Sequence, residues 1–138
     1  MKVSEMAEHL GLDCLTPEVN LDGLGELTGG YASDLLSDVL ANAPAGGVLV
    51  TIQVHMNAVA VASHCQLAAV IFAAGRRPDE STRLKAVQEG IALFTSAKSA
   101  FEIVGELYVL GLRGPARGGS LRQTCTSTRR SRHVRRRR

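Results

Sequence analysis

Val48-Leu49-Val50-Thr51-Ile52 is a nearly continuous β-branched run. Such a run marks a strand buried on both faces of a sheet. Pro44 and the pair Gly46-Gly47 precede it and stop whatever helix comes before. Two later stretches have the same character: residues 67–72, ending at Gly75, and Ile91-Ala92-Leu93-Phe94. Between the first two strands, residues 57–65 read as a helix of small side chains. Between the second and third, Asp79 follows Pro78 as an N-cap and opens a helix that turns Leu84 and Val87 inward and ends at Gly90. Buried strands alternating with helices at this short period predict βαβ crossovers and a parallel sheet, with right-handed connections. The expected fold is α/β: a three-layer α/β/α domain with a small, mainly parallel sheet over residues 1–112.

Working outward, Val3, Met6, Ala7 and Leu10 share one helical face. Ser4 is the expected cap of this first helix and Gly11 its left-handed terminator. Residues 12–16 suggest a short strand ended by Pro17, and residues 21–27 a second, glycine-broken one. In Glu26-Leu27-Thr28-Gly29-Gly30-Tyr31-Ala32-Ser33-Asp34 the glycine pair leads into a helix capped by Ser33, with Leu36, Val39, Leu40 and Ala43 on its apolar face. Asp34 would complement the dipole of that helix. At the far end, Ser99-Ala100-Phe101-Glu102 fits a capping box for a helix running to Leu110, with Gly111 beyond.

Charge divides the chain more sharply than its formal +3 suggests. Ten of the 16 basic residues are arginines between Arg113 and Arg138, where there are no acids. The remaining six face all 13 acids in residues 1–112, so the body is near −7 and the tail near +10. The tail is Arg, Gly, Ser and Thr, too poor in apolar residues to bury a core. One reading is a basic arm that binds nucleic-acid phosphates. The other, which we favour, is out-of-frame translation of GC-rich DNA. Cys14, Cys65 and Cys125 are odd in number and lack metal-ligand spacing, which fits free thiols in a reducing compartment. The most apolar region, 58–74, is interrupted by Ser63, His64 and Gln66, whereas a membrane span needs about 20 mostly apolar residues. A cytoplasmic protein without membrane contact is expected.

Ligands of open parallel sheets bind outside the carboxyl ends of the strands. Those ends are expected at 53–57, at Gly75-Arg76-Arg77, and at Thr95-Ser96 with Lys98. The turn Thr28-Gly29-Gly30 would join them if a short strand lay nearby. The candidate ligand-binding residues are therefore Thr28, Gly29, Gly30, Ser33, Gln53, His55, Asn57, Arg76 and Thr95. Amide, imidazole and cationic groups suit a nucleotide or phosphorylated metabolite. Plain alternatives stand beside these: a tight turn at the glycine pair, a solvated histidine at His55, a solvated loop at Arg76-Arg77. Neither phosphate-binding glycine motif, G-x-x-x-x-G-K-[ST] or G-x-G-x-x-G, occurs. Ser33, Asp34 and His55 have the residue types of a hydrolase triad but lack the G-x-S-x-G elbow. His9, His64 and Cys14 have no zinc spacing. No catalytic residue, metal or cofactor is expected.

The segment from Glu26 to Val39 resembles the signature of the DRTGG domain, with Glu26-Leu27 in place of its Asp-Arg and Thr28-Gly29-Gly30 matching. The run from Thr51 to Ala62 is similar to the second block of that family, and Phe101-Glu102-Ile103 with Leu107-Tyr108 to its closing helix. The resemblance covers residues 1–112. It implies an α/β/α module similar to the N-terminal domain of the HPr serine kinase/phosphorylase, of a kind also found beside CBS domains. That kinase works through a P-loop, which this chain lacks, so the resemblance implies a regulatory, ligand-sensing module and not a kinase. Together with the small size of the chain it implies a homodimer. A protein-interaction module without a small ligand is the alternative, and nucleic-acid binding through the tail a third.

Overall fold

Of the run that begins at Val48, Val48–Thr51 is a completely buried strand in the computed structural model of the protein, which describes residues 1–115. Among the described residues five strands form one sheet: β1 (Asp13–Cys14), β2 (Gly30–Ala32), β3 (Val48–Thr51), β4 (Ala69–Phe72) and β5 (Ala92–Thr95). Their order is β1-β5-β4-β3-β2. The pairs β2–β3, β3–β4 and β4–β5 are parallel, and only β1 is antiparallel to its neighbour. Every residue of β3, β4 and β5 is buried, as expected of strands covered on both faces.

The helices are α1 (Val3–Leu10), α2 (Leu36–Asn42), α3 (Met56–His64), α4 (Glu80–Glu89) and α5 (Ala100–Val109). Alternate strand residues point to opposite faces, which divides the core in two. On one face Val48, Val50, Ile71 and Phe94 pack with Val3 and Met6 of α1 and Ile103 and Leu107 of α5. On the other, Leu49, Val70, Phe72 and Leu93 pack with Val39 of α2, Val59 of α3 and Ala86 of α4. The three-layer α/β/α architecture is thus the one the strand runs predict.

Several local expectations change. Ser4 lies inside α1; the helix starts from Lys2, whose backbone N–H donates to the Glu5 carboxylate at 2.8 Å. The carboxylate at the third helical position thus reaches back to the amide of the residue before the helix, the glutamate half of a capping box. Residues 21–24 form a 3₁₀ turn, Leu21–Leu24, instead of a strand. The missing strand is β2, so Gly30 opens a strand and not a helix. Ser33 consequently misses the cap position: Leu35 precedes α2, and the Ser33 hydroxyl accepts from the Leu35 N–H at 3.1 Å in a tight turn. Leu40 and Leu84 are 47% and 43% exposed, because α2 and α4 bury only Val39 and only Thr82 and Ala86, respectively. Asp79 caps α4 through the Thr82 N–H at 2.9 Å, and Ser99 caps α5 through the Glu102 N–H at 3.3 Å. Gly11 and Gly90 are the left-handed terminators of α1 and α4.

Candidate functional site

Parallel pairing of β2 with β3 fixes where the sequence-predicted residues go. Gly30 lies opposite Val48, the first residue of β3. Thr28, Gly29 and Gly30 therefore sit at the amino end of the sheet. Ser33, Gln53, His55, Asn57, Arg76 and Thr95 sit at the carboxyl end. The fold does not bring the two groups together.

At the amino end, Thr28-Gly29-Gly30 closes one turn on another. The Thr28 hydroxyl donates to Ala45 O at 2.6 Å, and its N–H to Gly46 O at 3.2 Å. The Gly30 N–H donates to Arg113 O at 2.9 Å. A Cβ at Gly29 would lie 2.8 Å from Arg113 O, and one at Gly47 would lie 2.7 Å from Gly29 O. Both glycines are required because backbone meets backbone there. Arg113 thus packs onto the domain, its guanidinium 3.6 Å above the Tyr108 ring. The rest of the arginine-rich tail, from residue 116 on, lies outside the described residues.

At the carboxyl end, Asp34 joins β2 to β3. Its Oδ1 accepts from the Thr51 hydroxyl at 2.9 Å and from the Ile52 N–H at 2.8 Å. The dipole of α2 does not need to hold it. Composition gave no sign of this clamp; the short strand β2 had to be placed first. His55 caps α3, its Nδ1 accepting from the Asn57 N–H at 3.1 Å. Ser33, Asp34 and His55 each bond elsewhere, so they form no nucleophilic relay. Thr95 is buried and donates to Phe72 O at 3.3 Å and Arg76 O at 2.7 Å. It positions the loop after β4, in which Ala74 and Gly75 are both left-handed, instead of facing solvent.

The cations of this edge differ. Arg77 pairs with Asp13 at 3.5 Å, and Lys98 with Glu106 at 2.5 Å. Arg76, exposed after the central strand β4, makes no ion pair among the described residues. Asp79 is held below the usual aspartate range chiefly by hydrogen bonds from the side chain and backbone of Thr82, then Ser81. Gln53, His55, Asn57 and Arg76 are all exposed, so this edge is an open polar rim. Two grooves lie elsewhere, on either side of α5.

Among the described residues no group of His, Cys, Asp and Glu could hold a metal ion, and no helix is long and apolar enough to cross a membrane. Cys14 and Cys65 are free thiols; burial pushes Cys65 up.

No protein-family model matches the chain, and no curated protein does. Its fold is similar to that of the CBS and DRTGG domains of the regulatory region of Clostridium perfringens pyrophosphatase, solved in complex with the activator diadenosine tetraphosphate. The TM-score is 0.60 at 11% sequence identity, over 77% of this chain and 45% of that one. The chain thus spans under half the length of that structure, and the likeness is one of fold.

Proposed function

We propose that the protein is a non-catalytic regulatory domain of the DRTGG kind, which binds a nucleotide or another phosphorylated metabolite at the carboxyl edge of its sheet. The observation that carries this reading is Arg76. It is an exposed cation without an ion pair among the described residues, at the end of the central strand, and the neighbouring strand β3 leads to His55 and to Asn57 in the first turn of α3. A guanidinium beside imidazole and amide groups suits a phosphate. The acids of this edge are already engaged: Asp34 with Thr51 and Ile52, Asp79 with Thr82. The DRTGG-like sequence blocks and the fold's likeness to a regulatory region with a nucleotide activator support the same reading. Residues 1–112 would be the sensing unit, acting as a homodimer in a reducing, cytoplasmic setting.

The test is a thermal-shift panel of adenine and guanine nucleotides and phosphorylated metabolites on the full chain, with and without Mg²⁺. A ligand at 100 times its dissociation constant stabilises by about 2.7 kcal/mol. Arg76→Ala should stay within the scatter of surface variants when unliganded, about 0.5 kcal/mol; His55→Ala, which removes the α3 cap, should cost about 1 kcal/mol; both should abolish the shift. A shift that survives both would sink the rim as the site.

A second reading, a protein-interaction module, is favoured by one observation. Phe101, Val104, Tyr108 and Val109 of α5 are exposed together, as contiguous apolar side chains at a contact surface are.

A further inference from the structure

Helix α5 carries two rows of residues four apart: Phe101, Gly105 and Val109, and beside them Val104 and Tyr108. Phe101 is 88% and Val109 86% exposed. The buried side of the helix is supplied by Ile103 and Leu107, so the exposed rows contribute nothing to the core. Gly105 is the second anomaly. Glycine is a poor residue in a helix interior, and a Cβ there would meet nothing within 4 Å. Nothing inside the domain requires it. A glycine flanked by apolar side chains on an outer helix face lets another helix approach closely. The grooves beside α5 fit an approaching helix. One, about 330 Å³, runs along Tyr31, Val104 and Tyr108; the other, about 490 Å³, along His9, Phe101 and Val109.

We propose that the α5 face is the contact surface for a second copy of this chain, with the two α5 helices antiparallel and crossing at Gly105. The face is complementary to itself in that arrangement. Phe101 of one copy meets Val109 of the other, and the reverse contact repeats by symmetry, as an isologous interface requires. The exposed Glu102 then faces Tyr108 of the second copy, over whose ring Arg113 already holds its guanidinium at 3.6 Å. Opposite charges therefore meet at both ends of the crossing. This names the face for the proposed homodimer and is independent of the ligand reading, since mass is measured without ligand.

The test is light scattering or sedimentation equilibrium on the nuclease-treated full chain at about 100 μM, a concentration at which a micromolar self-affinity keeps most of the protein paired. The mass expected is twice the 14.7 kDa of the chain. Phe101→Glu and Val109→Glu, both at exposed positions, should each return the mass to that of one chain and weaken pairing at least about tenfold, with an unchanged circular dichroism spectrum. Glu102→Arg should weaken pairing, and adding Arg113→Glu should restore it. A wild-type chain that stays monomeric, or a dimer indifferent to both glutamate variants, would overturn the proposal. A charge swap that fails to restore pairing would overturn the antiparallel arrangement.

Discussion

The two ends of the sheet are built from the same strands and do opposite things. At the amino end, turns lock against each other: Thr28 onto Ala45 and Gly46, Gly30 onto Arg113, Gly47 under Gly29. Most of the contacts are backbone to backbone, and the side chains are hydrogen atoms wherever space runs out. At the carboxyl end, Gln53, His55 and Arg76 on loops, and Asn57 in the first turn of α3, stand in solvent, and Asp34 and Thr95 fix the backbone of those loops beneath them. The signature-like glycines belong to the closed end and the polar groups to the open one. A glycine pair in a motif therefore need not cradle a ligand; here it is what lets three chain segments converge.

The largest expected effect is at the closed end. Gly47→Ala places a methyl 2.7 Å from Gly29 O and 2.9 Å from Pro44 O, neither of which can rotate away. Overpacking of this kind costs about 1–3 kcal/mol. At roughly 4 °C per kcal/mol for a domain near this size, melting should fall by several degrees. Gly75→Ala is the matched change at the open end. Its φ is +69° but a Cβ has nothing within 4 Å, so the cost is that of the left-handed conformation alone, about 1 kcal/mol. Urea melts of the two variants compare the ends directly, and equal losses would break the contrast.

A smaller effect comes from the layer beneath the rim. Asp34→Ala removes the acceptor for both the Thr51 hydroxyl and the Ile52 N–H. With solvent close by to replace it, the loss should be about 1–2 kcal/mol. Asp34→Asn keeps an acceptor oxygen and should recover part of it. If Asp34→Ala melts like the wild type, the clamp does not hold β2 to β3, and the open end is looser than its hydrogen bonds suggest.

Much of the fold was legible, for a physical reason. β3, β4 and β5 are buried on both faces, so they appear as continuous apolar runs that no amphipathic segment imitates, and Asp79, Ser99, Gly11 and Gly90 mark helix ends by local chemistry that survives any packing. β2 was not legible because three residues, Gly30–Ala32, are too few for a period, and its neighbours determine it. Misplacing β2 displaced the rest: Ser33 became a helix cap, Asp34 a dipole partner, and Thr28-Gly29-Gly30 a part of the ligand edge. Leu84 and Leu40 were expected inside because hydrophobicity shows what can be buried, not what the sheet has room to cover. The last helix was legible from its capping box but its exposed rows were not, because only the packing separates Ile103 and Leu107, which face the sheet, from Phe101 and Val109, which do not.

The smallest expected effect is the response to acid, and its sign follows from which carboxyls the fold favours as anions. Glu18 and Glu80 are held below the ordinary glutamate value first by hydrogen bonds from Arg83, whose own pKa is raised in return. Asp79 is held down by Thr82 and Ser81. A carboxyl whose folded pKa is depressed adds stability above its unfolded value and loses it as pH falls through the folded one. Stability should therefore be flat from neutral pH to about pH 5 and decline below that, toward and beneath the ordinary carboxylate values. All three groups are exposed, so solvent screening keeps the decline shallow. Melting followed from pH 7 to pH 3 at two salt concentrations checks this. Asp79→Asn keeps an acceptor but cannot titrate, and it should flatten the curve from the open end of the sheet. Arg83→Gln should flatten it by freeing Glu18 and Glu80. If Asp79→Asn leaves the acid limb unchanged while Arg83→Gln removes it, the pH dependence belongs to the Arg83 ion pairs, and Asp79 plays no part in it.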